Sequence, residues 1–256
     1  MRAALAVEWL KLRRSRLGWT TALVLGVGVP GLTAGFMAAA GGPADSALAL
    51  KVNAMLIGTG WTAYLGMLAQ LQSVAMLLGA GLVTAWCFGR EFTDRTLGGL
   101  FALPTSRSTI AAAKIVVTLV WSALVCLLNV MVSCVLAPLD GLTVPSAAMF
   151  LSPGLKAVAV GLCAALLAIL LAFVASAARG YLPAIGGLIL IVVITQILSV
   201  LGVGGWFPDA APILWAGMGG QAAAVLITPA QLLLIPLTGA ASIAATIWWW
   251  RRMQVV

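Results

Sequence analysis

Six long apolar runs, near residues 18–40, 62–87, 110–136, 155–177, 183–202 and 228–250, are separated by shorter stretches in which the polar residues collect. Each run reaches the roughly 20 residues that a helix needs to cross about 30 Å of hydrocarbon. None shows the apolar–polar alternation of a strand, and in lipid only a helix satisfies its own backbone groups over such lengths. The pattern predicts an all-α integral membrane protein with six transmembrane helices, forming a single membrane domain over residues 1–256. Composition agrees: 63% hydrophobic and 8% charged residues place the chain far outside the range of soluble domains.

Charge supplies the orientation. Every basic residue except Lys51 and Lys156 falls in the N-terminal tail, the second or fourth connection, or the C-terminus. Because Lys and Arg are retained on the cytoplasmic side, both termini and the connection from Glu91 to Lys114 are expected there. Trp19, Trp61, Trp86, Trp206, Trp215 and the Trp248-Trp249-Trp250 group fall near span ends, where amphipathic rings prefer the headgroup level, while Trp121 is the exception. Residues 1–17 place Leu5, Trp9, Leu12 and Arg16 on one helical face, which reads either as an interfacial amphipathic helix or as a basic topology signal. The connection over 203–227 stays apolar around Asp209 and is expected to be a half-buried external segment.

Several kinds of chemistry are absent. There is no histidine, which removes histidine-based nucleophilic catalysis, HExxH metal sites and histidine proton relays. No G-x-x-x-x-G-K-[ST] occurs, so the chain has no nucleotide-binding domain of the P-loop kind. All the acids (Glu8, Asp45, Glu91, Asp94, Asp140 and Asp209) lie outside the spans or at their boundaries, leaving no evident group for ion coupling at membrane depth. The four cysteines fall in or beside apolar runs without C-x-x-C spacing and read as small core residues.

The one connection where several charges gather is E-F-T-D-R-T-L-G-G-L-F-A-L-P, residues 91–104. Leu97, Leu100, Phe101 and Pro104 recur at steps of three and four, the stripe of a short helix, and Glu91 and Arg95 stand at i, i+4. Gly98 and Gly99 weaken such a helix by about 1 kcal/mol each, so it relies on a surface for its shape. Periodicity leaves open whether that surface is a protein or the lipid headgroups.

The order Glu91, Thr96-Leu97, Leu100, Pro104, Ser106-Arg107 and Lys114 resembles the signature of ABC-2 type transporter permeases. Six spans, cytoplasmic ends, an N-terminal interfacial helix and a half-buried segment before the last helix fit the same type V exporter-like architecture. Arg95 departs from it, standing where glycine is usual before the threonine, and Gly98 stands where a polar residue is common. The resemblance implies that residues 91–104 form a cytoplasmic coupling helix between helices 2 and 3, held by a separate ABC ATPase. Arg90, Glu91, Thr96, Leu97, Leu100, Phe101, Pro104 and Arg107 would then be the ATPase-coupling residues. It further implies a multi-pass protein of the inner (plasma) membrane and an assembly of two permease chains, identical or homologous, with two ATPase subunits. The chain itself would be a non-enzymatic subunit without a cofactor, with ATP and Mg on the partner, touching lipid and no nucleic acid. The cargo would be an amphipathic or hydrophobic compound, such as a drug, antibiotic, lipid or peptide, with Gln70, Ser73, Met76, Thr195 and Gln196 along the path. The polar members of that set read equally as interhelical hydrogen bonds. A membrane scaffold or sensor that recruits a cytoplasmic partner is the alternative function.

The topology is open to direct test. In a cysteine-free background, a single cysteine at Ser46 is expected to react with an impermeant maleimide from outside the cell and one at Ser106 only after permeabilisation. Outside labelling at position 106 would reverse the orientation.

Overall fold

The computed structural model describes residues 1–43, 45–101, 104–143 and 145–253, with the side chains of Leu100, Phe101, Ala148, Val200, Ala222 and Ala223 outside the description. All regular structure among the described residues is helical, and six helices are long and apolar enough to cross a membrane. In chain order these are α1 (Arg2–Arg14), α2 (Arg16–Ala40), α3 (Ala47–Met55), α4 (Gly60–Thr93), α5 (Leu97–Phe101), α6 (Arg107–Leu136), α7 (Ala147–Leu167), α8 (Leu170–Ala177), α9 (Tyr181–Val200), α10 (Ala211–Ala216), α11 (Gln221–Val225) and α12 (Pro229–Arg252). The spans are α2, α4, α6, the α7–α8 pair, α9 and α12.

Helix α4 is the axis of the bundle. It packs against α2, α6, α7, α8 and α9, and most of its length is buried. Lipid offers no hydrophobic force between helices, so close approach and buried hydrogen bonds must hold them. Both are found where α4, α6 and α7 meet. The Gln72 amide donates to the Ala157 carbonyl at 2.8 Å and accepts from Asn129 Nδ2 at 3.0 Å. Gly161 makes room for this: a Cβ there would lie 2.5 Å from Gln72 Nε2 and 2.6 Å from Cys126 Sγ. Gln72 and Asn129 thus take the interhelical reading of the intramembrane polar residues.

The ends of the helices are set by local chemistry. Ser15 lies in extended backbone between α1 and α2, accepting from the Gly18 amide at 2.8 Å and donating to the Leu12 carbonyl at 2.8 Å. This side chain turns the chain through a corner and separates Arg16 from the helix anticipated over 1–17. Ser106 caps α6 and Ser146 caps α7, and Thr228 with Gln231 forms a capping box at the start of α12.

Other expectations need correction. Trp250, near the end of its span, is packed inside the protein and does not face outward: it is fully buried, donates to Ser176 Oγ at 2.8 Å and stands edge-on to Phe88 with centroids 5.7 Å apart. Trp121 is explained by depth: it lines one cavity with Gly18, Trp19 and Ala22 from the first turns of α2, so it lies level with the start of the first span. Helix α3 was not anticipated, its nine residues being too short to register as a span. The segment over residues 203–227 folds into short pieces, of which α10 is largely buried against α4 and α7. Burial there also pushes the Asp209 carboxyl up to about 6.

Gly161→Val is expected to disconnect Gln72 from α7. Leaving that buried amide short of a partner should cost about 1–3 kcal/mol, seen as a lower melting temperature of the detergent-solubilised protein. An unchanged melting temperature would show that the network bears no load.

Candidate functional site

The most strongly charged interior of the protein lies where α1, α4 and α6 meet. Lys114, only 1% exposed, donates to Glu8 Oε2 at 2.9 Å, Glu91 Oε1 at 2.9 Å and the Cys87 carbonyl at 3.0 Å. Lys11 donates to Glu8 Oε1 at 2.6 Å and Glu91 Oε1 at 2.9 Å. Two ammonium groups thus face two carboxylates, and all three N–H donors of Lys114 are used. Water is largely excluded, so the pairing is what allows these charges to remain buried. One acceptor is left over: Glu91 Oε2 is buried without a hydrogen-bond partner among the described residues.

The sequence builds this junction from three directions. Glu8 and Lys11 are one turn apart on α1 and present both signs to the same face. Glu91 occupies the last turn of α4, and Lys114 lies two turns into α6, with its ammonium 5.9 Å from the centre of the Phe88 ring. The expected pairing of Glu91 with Arg95 is not formed. Arg95 sits in the turn after α4 with φ of 55°, a left-handed conformation costing a non-glycine residue about 1–2 kcal/mol. That conformation accounts for glycine being usual here in the family the sequence resembles.

The helix anticipated over 91–104 is divided. Residues through Thr93 complete α4, a turn closes through Asp94 N to the Arg90 carbonyl at 2.7 Å and Thr96 N to the Glu91 carbonyl at 3.0 Å, and α5 follows. Leu97 is half-buried against the core. Arg90 lies over the Trp86 ring at 4.6 Å and beside Asp94 at 3.9 Å. Thr96 and Pro104 are exposed. The side chains of Leu100 and Phe101, like residues Ala102 and Leu103, lie outside the described residues. Arg107 donates to the Met253 carbonyl, tying the start of α6 to the end of α12. The connection between the second and third spans is therefore fastened to both ends of the chain.

The residues expected along the path are dispersed. Gln70, Ser73 and Met76 are buried within the protomer: Gln70 Nε2 donates to the Met55 carbonyl at 3.0 Å, and Ser73 to the Gln70 carbonyl at 2.6 Å. Thr195 is buried and donates to the Ile191 carbonyl at 2.8 Å, whereas its neighbour Gln196 is exposed on α9. Sequence reasoning missed Glu8 and Lys11, which join Glu91 and Lys114 at this junction. Their i, i+3 spacing with opposite signs was the available signal, but nothing local pointed to a partner 80 residues away.

Lys114→Met would strand two carboxylates with one ammonium and is expected to destabilise the solubilised protein by about 3 kcal/mol or more. The double variant Lys114→Met/Glu91→Gln removes one charge of each sign and should recover part of the loss in a thermal-unfolding measurement. Strictly additive losses would show that the two side chains are not energetically coupled.

The family model for ABC-2 family transporter proteins matches residues 4–202. This covers the first five spans, the charged junction and the α4–α6 connection. No curated protein matches the chain. With more than half of its length matched and six apolar helices, the chain belongs to the ABC-2 family of ABC transporter membrane proteins, the permeases that carry out transport.

Proposed function

We propose that this chain is the membrane half of an ATP-driven exporter, with two such permeases, identical or homologous, served by two cytoplasmic ABC ATPase subunits in the inner (plasma) membrane. The observation that carries this reading is the charge junction at the base of the α4–α6 connection, where Lys114 joins Glu8 and Glu91. A segment pushed by a partner must be fixed to something rigid or its motion is lost. Here the end of α4, the start of α6 and α1 are fastened into one unit. Short helix α5 follows directly from that unit and would be the surface for the ATPase, with Leu97 set against the core.

Energy would come from ATP on the partner and from no ion gradient. The buried charges of the junction are already paired with one another, and Glu91 lies at the end of its span rather than at the midplane. A path lined by apolar walls and an amide such as Gln196, exposed on α9, would suit an amphipathic or hydrophobic cargo.

Leu100→Asp is expected to weaken co-purification with the ATPase by at least tenfold, because burying an unpaired charge costs more than the roughly 1.4 kcal/mol that a factor of ten represents. Insertion and abundance should be unchanged. In proteoliposomes of the complex, transport should survive an uncoupler and stop with a non-hydrolysable nucleotide. Normal ATPase binding without any transport would instead support a scaffold or sensor, and loss of transport on adding the uncoupler would show an ion-coupling site.

A further inference from the structure

At the corner made by α1, α2 and α6 lies a cavity of about 210 Å³ whose two ends differ in chemistry. One end is formed by Trp9, Arg13 and Trp19, with Trp121 as an inner wall, and the other by Leu124 and Leu128. Trp19 Nε1 donates to the Arg13 carbonyl at 2.7 Å, which holds the mouth in shape. Among the residues that line it, Arg13 carries the charge, and it is exposed. Gly18 and Trp19 belong to the first turn of the first span, which sets the mouth at the membrane surface. From it the groove continues along Leu124 and Leu128, exposed residues of a membrane-spanning helix that only lipid reaches.

We propose that this cavity binds one anionic phospholipid of the adjacent leaflet, its phosphate at Arg13 and one acyl chain against Trp121, Leu124 and Leu128. A cation with no acid lining the cavity selects a negative headgroup. Indole rings at the mouth suit the ester level of the bilayer. An acidic protein segment would satisfy Arg13 but not the aliphatic end. The lipid would wedge α1 against α6, the same α1 that supplies Glu8 and Lys11 to the charge junction. The inference requires only that the spans lie in a bilayer and is independent of what the protein transports.

The test is native mass spectrometry of the purified full-length chain after reconstitution with phosphatidylglycerol or phosphatidylcholine. One phosphatidylglycerol should be retained about fivefold better than phosphatidylcholine, the preference expected for one basic residue near an anionic headgroup. Arg13→Gln should remove that preference. Arg2→Gln makes the same charge change about 16 Å away along α1, beyond the roughly 8 Å screening length, and should alter retention less than twofold. Ala22→Phe, which fills the cavity, should release both lipids; if it does not fold, the arginine pair still decides. Equal retention of the two lipids, equal effects of Arg13→Gln and Arg2→Gln, or a purified protein that carries no lipid would overturn the proposal.

Discussion

The end of the bundle where α1, α4 and α6 meet depends on one electrostatic condition: two lysines and two glutamates must meet where little water reaches. A single buried ammonium without partners would cost several kcal/mol in an interior of this kind. The cluster around Lys114 meets the condition only when α1, α4 and α6 are all in place, because each contributes a charge that the others need. This explains why a basic N-terminal segment, which could have been no more than a topology signal, is a helix packed against the third span. It also explains why the α4–α6 connection begins and ends in fixed geometry although its middle carries two glycines.

Farther into the bilayer the same demand for satisfied polar groups is met without charge. Gln72 reaches across to α7 and receives Asn129 from α6, and Gly161 leaves the space. The two networks lie along α4, one amide-based and one ionic, and together fasten the second span to its neighbours. Much of the remaining contact is apolar, and between helices in lipid such contacts confer shape more than strength.

The spans were legible because hydrocarbon thickness imposes a length and composition that single residues hardly disturb. Membership of the ABC-2 family was legible in the order of residues from Glu91 to Lys114. The wiring of that segment was not. Glu91 was assigned the nearest cation on its own helix, whereas it bonds to Lys11 and Lys114, and no periodicity reports a contact between the chain's beginning and its second span. Ser15 carried the usual mark of a helix cap, yet the corner it makes was overridden in the reading by a continuous amphipathic face. The burial of Trp250 was hidden for a related reason: a tryptophan near a span end ordinarily faces outward, and only the packing of Phe88 and Ser176 around it shows a core residue.

The contact between Gly89 and the turn before α9 carries a mechanical consequence. A side chain at Gly89 would collide with the backbone of Gly180 and Tyr181, so the end of α4 and the start of α9 touch main chain to main chain. Helix α9 is also the least covered of the six spans within the protomer. A rod gripped at one end and lightly held along its length acts as a lever. At about 30 Å for 20 residues, a tilt of about 10° at that grip carries its far end through about 5 Å, roughly the height of one helical turn.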